Sequence, residues 1–596
     1  MKENSLTDAG AGATARIVKR KGNPLSANNM RLSLAKLQKN GTVDEKYTFK
    51  PANLWLYVKF SPNVIDSTML RKVTNNDKIM VQNYPFANAE LYYNGAGFTE
   101  ERRLQLVDGG MYATLPTYDN PVDNPISNIP VEVLDTLYMP EDDDDPIMFD
   151  AMVEGGFITD EQLNQRWQIC WKKPEGYVRF TDTQLGANQP VSETKVWCLL
   201  FGLPLTTHAD GNGYFKIHWR FLIGTLVGTK AGNGNMKITP IDVSGFTGTS
   251  ATQIITNIPS AVVQLIVRFV IGTLHINGWY GACNVNNINI NFNSHNQQRY
   301  WAHILRAAYL QRQYCAAENI NNGQTNLRTY AIWTNGVSGP ASAPMLGHIN
   351  TSSLWVGVFN SIFGANVNAS IPTFFDVLSS TLPDMTFIES SSTSPYIDGG
   401  INYFSSEFTH KVFHELSHVN LFAQVGSAYW INVITDTLTH SGSGYGNGGT
   451  FLAGFTQMNE SWAEFLSTNF AKRHYGIGII PATGTEGKKP SSWAITAGFT
   501  KYISFNFALE SERWFFNQWI SSGFYNDCMD GIGGGESWDL VSGLSIRELY
   551  LAHGLGQGEM CTYINRLLVL YPSRVSFFPL NENYKNNANF TDDCNR

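Results

Sequence analysis

The sequence predicts a multidomain α+β protein in which β-rich N-terminal domains precede a mainly helical C-terminal domain. The chain has 596 residues, too many for one hydrophobic core, since a domain contains roughly 150 residues. Up to about residue 293, short runs of β-branched and aromatic residues alternate with Asn, Gly and Pro turns, which is typical of strands. Beyond that point, apolar residues recur at helical spacing.

Composition changes suggest the domain boundaries. Residues 1–28 are small and polar without an apolar period, so we expect a flexible lead-in. A β-rich N-terminal domain is predicted for 29–170, beginning with the strand "LWLYVKF". Within it, the acidic run 141–145 is interpreted as a solvated linker, because the residue spacing of a calcium-binding EF-hand loop is absent.

The middle region, 171–293, reads as a meander of short strands followed by further strands. Its "TTHADGNGYF" segment matches the pattern T-x-x-D-G-x-G-x-F from Thr207 to Phe215. This region therefore resembles the carboxypeptidase regulatory-like domain, a transthyretin-like β-sandwich. The resemblance implies a structural or positioning module, with Asp210 and Asn212 as turn residues rather than calcium ligands.

The start of that module matches the family only in part. Gly176 and Val178 follow the usual G-x-V-x-D pattern, but Phe180 stands where the family has an aspartate. The apolar stretch 261–276 contains Arg268 and is too short to span a membrane, so we interpret it as buried strands.

Residues 294–596 are predicted to form the helical domain. Its first helix is "QQRYWAHILRAAYLQRQYCAAEN", followed by the strands "LRTYAIW" and "DMTFIES". The segment "FFDVLSSTL" between these two strands reads as a helix. A Gly-rich segment, 440–450, separates two later helices and is interpreted as a connector or a lid beside the substrate.

Three histidines at four-residue spacing mark the segment "THKVFHELSHVNLF". A helix turns about 100° per residue, so His414 and His418 share a face and can bind one metal ion. Glu415 is rotated aside, where it can take a proton from a water at the metal, as in the H-E-x-x-H motif. His410 lies one turn earlier, and we expect it beside the ligands or at the surface. Alternatively, the histidines line a helix core and bind no metal.

A catalytic zinc site needs a third protein ligand. In metzincins this ligand is a histidine six residues after the second one, following a glycine at plus three. Gln424 and Leu421 occupy those positions, so the sequence excludes the metzincin class.

The later segment "QMNESWAEFLSTNFAKRHYG" contains the pattern N-E-x-x-A, formed by Asn459, Glu460 and Ala463. With H-E-x-x-H, it resembles the gluzincin metallopeptidases. The resemblance implies a zincin-like domain that binds Zn²⁺ through His414, His418 and Glu460. One departure is Asn420, where such motifs usually have an apolar residue.

Further candidates lie on or near the two motif helices. Glu464, one turn after Glu460, is either a carboxylate that accepts the N–H of a ligating histidine or an exposed helix charge. As stabilisers of the developing oxyanion, the flanking candidates are His474, Tyr475, Tyr445 and His440.

The composition limits the partners. The net charge is −8, and no basic stripe follows the short "RIVKRK" segment, which argues against nucleic acid as a partner. The first residues lack the apolar stretch of a signal peptide, a start that is compatible with removal of a leader. The seven cysteines include no C-x-x-C pair. They are either buried thiols, or Cys528 pairs with Cys561 or Cys594 in an exported protein.

Taken together, the motifs resemble large Bacteroidetes-type envelope proteins. That resemblance implies a secreted, periplasmic or cell-surface protein, or a lipoprotein, associated with the outer membrane or cell surface through a removed leader. We expect a zinc metallopeptidase that acts on a protein or peptide. The alternatives are an envelope binding or adhesion protein with a degenerate zincin domain, and a metallohydrolase acting on glycan or a peptidoglycan-linked peptide.

Overall fold

The computed structural model describes twenty stretches of the chain. They are 23–60, 80–82, 110–117, 130–140, 145–164, 172–182, 185–200, 203–221, 224–242, 274–293, 297–334, 341–349, 383–390, 405–439, 452–475, 523–529, 541–554, 558–574, 576–577 and 579–580. Most of the apolar stretch 261–276 and the predicted helix "FFDVLSSTL" lie outside these residues, as does the Gly-rich segment 440–450.

The N-terminal region combines one antiparallel sheet with helices. Its strands are β1 Leu54–Phe60, β2 Met80–Gln82, β3 Met111–Pro116 and β4 Glu132–Tyr138, in the order β2-β3-β1-β4. Its helices are α1 Ala27–Lys39, α2 Pro146–Glu154 and α3 Asp160–Asn164. Two predicted segments, the lead-in and the acidic run, adjoin the folded part. Leu25 is fully buried and Ser26 bridges Leu137 of β4, so the folded part includes the end of the predicted lead-in. Asp145, the last residue of the acidic run, caps α2 by accepting a hydrogen bond from the backbone N–H of Ile147.

The middle region forms two mixed or antiparallel four-stranded sheets. The strands are β5 Glu175–Asp182, β6 Gly186–Pro190, β7 Lys195–Leu200, β8 Leu203–His208, β9 Tyr214–Lys216, β10 Thr225–Lys230, β11 Met236–Asp242, β12 Leu274–Tyr280 and β13 Ile288–Phe292. One sheet has the order β12-β10-β7-β8, and in the other β5 pairs with β13, β6 and β9. Asp210 Oδ1 accepts the backbone N–H groups of Asn212 and Tyr214, each at 2.8 Å, as expected of a turn residue.

A fourth sheet crosses the predicted boundary at 293/294. It contains β11, β14 Leu327–Thr334 and β15 Met385–Ser390, all parallel and in that order. β11 precedes the boundary and the other two strands follow it, and one continuous hydrophobic core spans both sides. Backbone pairing therefore joins the middle region to the region that we predicted as a separate helical domain.

The C-terminal part is mainly helical, which confirms the prediction for this region. Its helices are α4 Gln297–Glu318, α5 Ser405–Thr439, α6 Ala453–Tyr475, α7 Gly523–Asp527, α8 Ile546–Ala552 and α9 Met560–Leu570. Gly426 has φ 80° and ψ 178°, so the helix is kinked there. The structure thus combines β-sheets towards the N-terminus with helices towards the C-terminus, as the α+β prediction states.

The described cysteines divide into two groups. Cys198, Cys315 and Cys528 are buried thiols, so of the two alternatives that the sequence left open, the disulfide at Cys528 is excluded. Cys283 and Cys561 each take part in a disulfide bond. Across the described stretches, none of the helices has both the length and the apolar character needed to cross a membrane.

Candidate metal centre

Helices α5 and α6 pack side by side in opposite directions. His410 of α5 lies 3.0 Å from Thr468, near the end of α6, whereas His418 lies 2.9 Å from Asn459, nearer its start. Most of α6 is buried, including the polar residues Asn459, Glu460 and Glu464. The polar side chains of the two motifs therefore meet inside the protein, where each needs a partner.

Three of these side chains converge on one point. His414 Nε2 lies 3.1 Å from Glu460 Oε2, and His418 Nε2 lies 3.4 Å from Glu460 Oε1. Each residue offers one ligand atom, and these three atoms all lie within 4.8 Å of one another. Ligands about 2.0–2.1 Å from a tetrahedral zinc ion are about 3.3 Å apart. The buried group therefore could hold a metal ion, as the sequence predicted for these three residues.

The other ring nitrogen of each histidine is also held. His418 Nδ1 lies 2.9 Å from Asn459 Oδ1, and His414 Nδ1 lies 3.3 Å from Glu464 Oε2. A donor N–H at Nδ1 leaves the Nε2 lone pair for a metal, which fixes tautomer and ring orientation together. Glu464 is fully buried, so it is not an exposed helix charge. The contribution of Asn459 was missed, although the residue belongs to the N-E-x-x-A pattern.

His410 does not join the ligand set. Its Nε2 atom contacts Thr468 Oγ1 at 3.0 Å and Ser467 Oγ at 3.1 Å, and lies 3.9 Å from Glu464 Oε1. His410 is buried, so it does not lie at the surface. It lies beside the ligands, which is the other position that the sequence predicted.

Burial and charge pairing act in opposite directions on the ligands. Burial favours the neutral form of Glu460, but His418 and His414 outweigh it and lower the pKa of the Glu460 carboxyl to about 2. Burial likewise disfavours the charged imidazole, yet hydrogen bonds to Glu460 and Glu464 raise the pKa of His414 to about 10. The carboxylates therefore attract a cation at this point, either a proton or a metal ion, and a metal that binds there displaces the proton.

Glu415 is placed differently. Its side chain is 5% exposed, and its Oε2 atom has no hydrogen-bond partner among the described residues. Burial raises the pKa of its carboxyl, against the opposing influence of His418 and His414. A buried carboxylate oxygen without a protein partner normally has a water partner. Next to a metal site, such a carboxylate is suited to proton transfer.

The structure does not bring the predicted oxyanion stabilisers His474 and Tyr475 to this group. They lie at the end of α6, fourteen or more residues after Glu460, which is about 21 Å along the axis at 1.5 Å per residue. His474 Nδ1 contacts the hydroxyl of Tyr314 at 3.3 Å, and Tyr475 donates its hydroxyl to Asp182 at 2.9 Å. Tyr445 and His440 lie outside the described residues.

Asn420, the departure from the usual zincin pattern, is a buried bridging residue. Its Oδ1 atom accepts the indole N–H of Trp462 at 2.9 Å, and its amide nitrogen donates to the carbonyl of Asn321. Both ends of the buried amide are thus satisfied. The amide links α5 to α6 and to the loop after α4.

Comparison of the chain with protein-family models, curated proteins and solved structures gives no match. The resemblances drawn from motifs therefore stay predictions.

Proposed function

We propose that the protein is a zinc-dependent metallopeptidase of gluzincin type. His414, His418 and Glu460 would hold Zn²⁺, and Glu415 would act as the general base. When bound, Zn²⁺ would supply a water of lowered pKa and polarise the carbonyl of the scissile peptide.

One observation carries this proposal: a buried Glu415 oxygen that has no hydrogen-bond partner among the described residues accompanies a complete set of three ligand atoms. Structural zinc sites usually have four protein ligands, whereas catalytic sites have three and leave a position open. The described residues provide three, two imidazoles and one carboxylate. This set therefore favours a catalytic site over a purely structural one.

The residues of the chain divide the work of hydrolysis. Glu415 would accept a proton from the attacking water and return it to the departing amine nitrogen. Asn459 and Glu464 would keep the two imidazoles oriented while the substrate binds.

The test combines metal analysis with a single isosteric change, Glu415→Gln. We expect one zinc per chain in both proteins, peptide hydrolysis in the wild type, and loss of at least about a hundredfold in kcat in the variant. A peptide library supplies the substrate. Glu548→Gln, in the capping box of α8, is the matched control and should keep full activity. Full activity in Glu415→Gln would refute the proposal.

A binding or adhesion protein with a degenerate zincin domain is the alternative. The three sheets towards the N-terminus supply its support, because large β surfaces serve recognition as well as scaffolding. An intact protein that binds no zinc and cleaves no peptide in the library would favour that reading.

We further propose export, to the periplasm, the cell surface or the medium, with a protein or peptide substrate. The disulfide bonds of Cys283 and Cys561 support this location, because disulfides persist in oxidising compartments.

A further inference from the structure

A chain of hydrogen bonds, partly buried at its outer end and buried at its inner end, runs from the middle β region to the helix that carries Glu415. Arg312 of α4 donates through Nη2 to Glu193 Oε2 and through Nη1 to Gln324 Oε1 at 2.7 Å. Gln324 Nε2 donates to Gln311 Oε1 at 2.5 Å, and Gln311 Nε2 donates to the carbonyl of Leu416 at 3.0 Å. We call these four side chains and that carbonyl the amide relay.

The direction of the relay is fixed at both ends. A guanidinium can only donate hydrogen bonds and a backbone carbonyl can only accept them. Gln324 must therefore turn its oxygen to Arg312, and its nitrogen donates to Gln311 and to the carbonyl of Ala308, the latter at 3.1 Å. Turning either amide round would place oxygen against oxygen inside the protein, where an unmet acceptor is costly.

The outer end is held by the sheets. Glu193 lies in the turn between β6 and β7 and has φ 59°, a conformation that a residue with a side chain adopts only when its surroundings enforce it. Its backbone N–H donates to the carbonyl of Ala209 at 3.1 Å. Its carboxylate also accepts the amide of Asn233, from the turn between β10 and β11, at 3.0 Å. Two turns of the middle region thus present this carboxylate to α4.

The inner end lies within the metal-binding helix. The Leu416 carbonyl stands midway between His414 and His418, and it follows Glu415 by one residue. In a helix this carbonyl already accepts the N–H four residues later. The second donor, Gln311, is fully buried, so it fixes the position and rotation of this turn relative to α4.

We propose that the amide relay positions the Glu415 turn, with Gln311 and Gln324 as positioning residues and the middle β region as a brace for the site. This inference rests on the proposed peptidase function for its effect on rate. The relay itself is a property of the fold, and it can be tested in the protein without metal.

The decisive variant is Gln324→Glu. It keeps the shape of the side chain and the partner of Arg312, but it puts an oxygen where Nε2 faced Gln311 and Ala308. Gln311 then has to turn its nitrogen to residue 324, which leaves its oxygen against the Leu416 carbonyl. The matched control is Gln38→Glu, since the amide of Gln38 also donates to backbone carbonyls, at 3.1–3.2 Å, but beside the N-terminal sheet.

Two measurements read the result. We expect Gln324→Glu to lower kcat by about tenfold, because a small misplacement of a catalytic group is costly, with KM changed by less than about twofold. In metal-free protein, hydrogen–deuterium exchange of the amides in 412–422 should become faster. Gln38→Glu should change neither. Wild-type kcat together with wild-type exchange in Gln324→Glu would overturn the inference.

The two proposals fail in different ways. A wild-type protein that cleaves no peptide defeats the proposed function, while the exchange measurement still decides on the relay. If Gln324→Glu does not fold, Gln311→Met applies the same test, because it removes the donor to Leu416 without introducing a charge. Unchanged exchange in Gln311→Met would then reject the relay.

Discussion

Gly323 lies directly against Val419, one residue after His418, the second histidine of the H-E-x-x-H motif. A Cβ atom at Gly323 would stand 2.4 Å from the Val419 carbonyl oxygen, and Gly323 has φ 69°. The loop after α4 therefore approaches α5, the helix that carries His414 and His418, as closely as backbone atoms allow.

Gly323→Ala should destabilise the protein more than an ordinary glycine substitution. We expect a loss of about 2–4 kcal/mol, because a strained φ and a backbone clash add together. Gly41→Ala is the matched control, since Gly41 has φ 70° with no atom within 4 Å of the added Cβ, and it should cost only about 1 kcal/mol. Urea unfolding of both variants measures the difference. Equal losses would show that the close approach to Val419 is unimportant.

Asn459→Leu should weaken zinc binding without unfolding the protein. The substitution removes the oxygen that holds His418 Nδ1 at 2.9 Å, and loss of such a partner lowers metal affinity by about 10–100-fold. Competition with a chelator of known affinity provides the dissociation constant. Asn469→Leu is the control on the same helix, where the amide donates to the Phe465 carbonyl. Wild-type affinity in Asn459→Leu would contradict the assigned role.

His348 should make stability depend on pH. Its Nδ1 atom lies 2.9 Å from Asp384 Oδ1 and its Nε2 atom 3.1 Å from the Thr325 carbonyl. Only the charged imidazole has two N–H groups, so only that form can donate to both oxygens at once. The hydrogen bond to Asp384 raises the pKa of His348 against burial, and nearby Arg328 opposes the rise.

Because the folded pKa of His348 is above the unfolded value of about 6.5, its stabilising contribution is complete below that pH. The contribution disappears as the pH rises through the folded pKa. Between about pH 5.5 and about pH 9, the melting temperature of the wild type should therefore fall further than that of His348→Gln. An identical fall in both proteins would exclude this pair as a source of the pH dependence.

Tyr475→Phe should reduce stability but leave zinc affinity and turnover intact. The hydroxyl donates to buried Asp182 at 2.9 Å and contacts Thr409 at 2.9 Å, and losing one hydrogen bond to a charged group costs about 1.5–3 kcal/mol. Thermal unfolding and kcat measure the two effects. Loss of turnover in a folded, zinc-loaded variant would restore Tyr475 as an oxyanion stabiliser.

Sequence reasoning succeeded where local geometry decides the outcome. His414 and His418 meet because helical periodicity places them on one face, and the strands β14 and β15 lie at their predicted positions. Glu460 was assigned by the resemblance of N-E-x-x-A to the gluzincin pattern, and it reaches the two histidines because α5 and α6 pack together.

Sequence reasoning failed where the three-dimensional path of the chain decides which residues meet. His474 and Tyr475 are near Glu460 in sequence, but the rise of the helix carries them away from it. Nothing in the spacing of Glu193 and Arg312 indicates their ion pair, because two separate turns and a helix must first assemble. The predicted boundary at 293/294 rests on the change to helical periodicity, and a local pattern of this kind does not reveal a parallel sheet that crosses it.

Those parallel pairings set an order on synthesis and folding. Gly176 in β5 pairs with Ile288, and Met236 in β11 pairs with Leu327. Roughly a hundred further residues must therefore be synthesised before β5 or β11 can pair with its parallel partner. Contacts between residues so far apart in sequence slow folding. The middle region cannot finish on its own as the chain leaves the ribosome. We expect the middle region to fold completely only together with the loop that contains Gly323 and with β14 that follows it. This loop packs against the helix that carries the histidines.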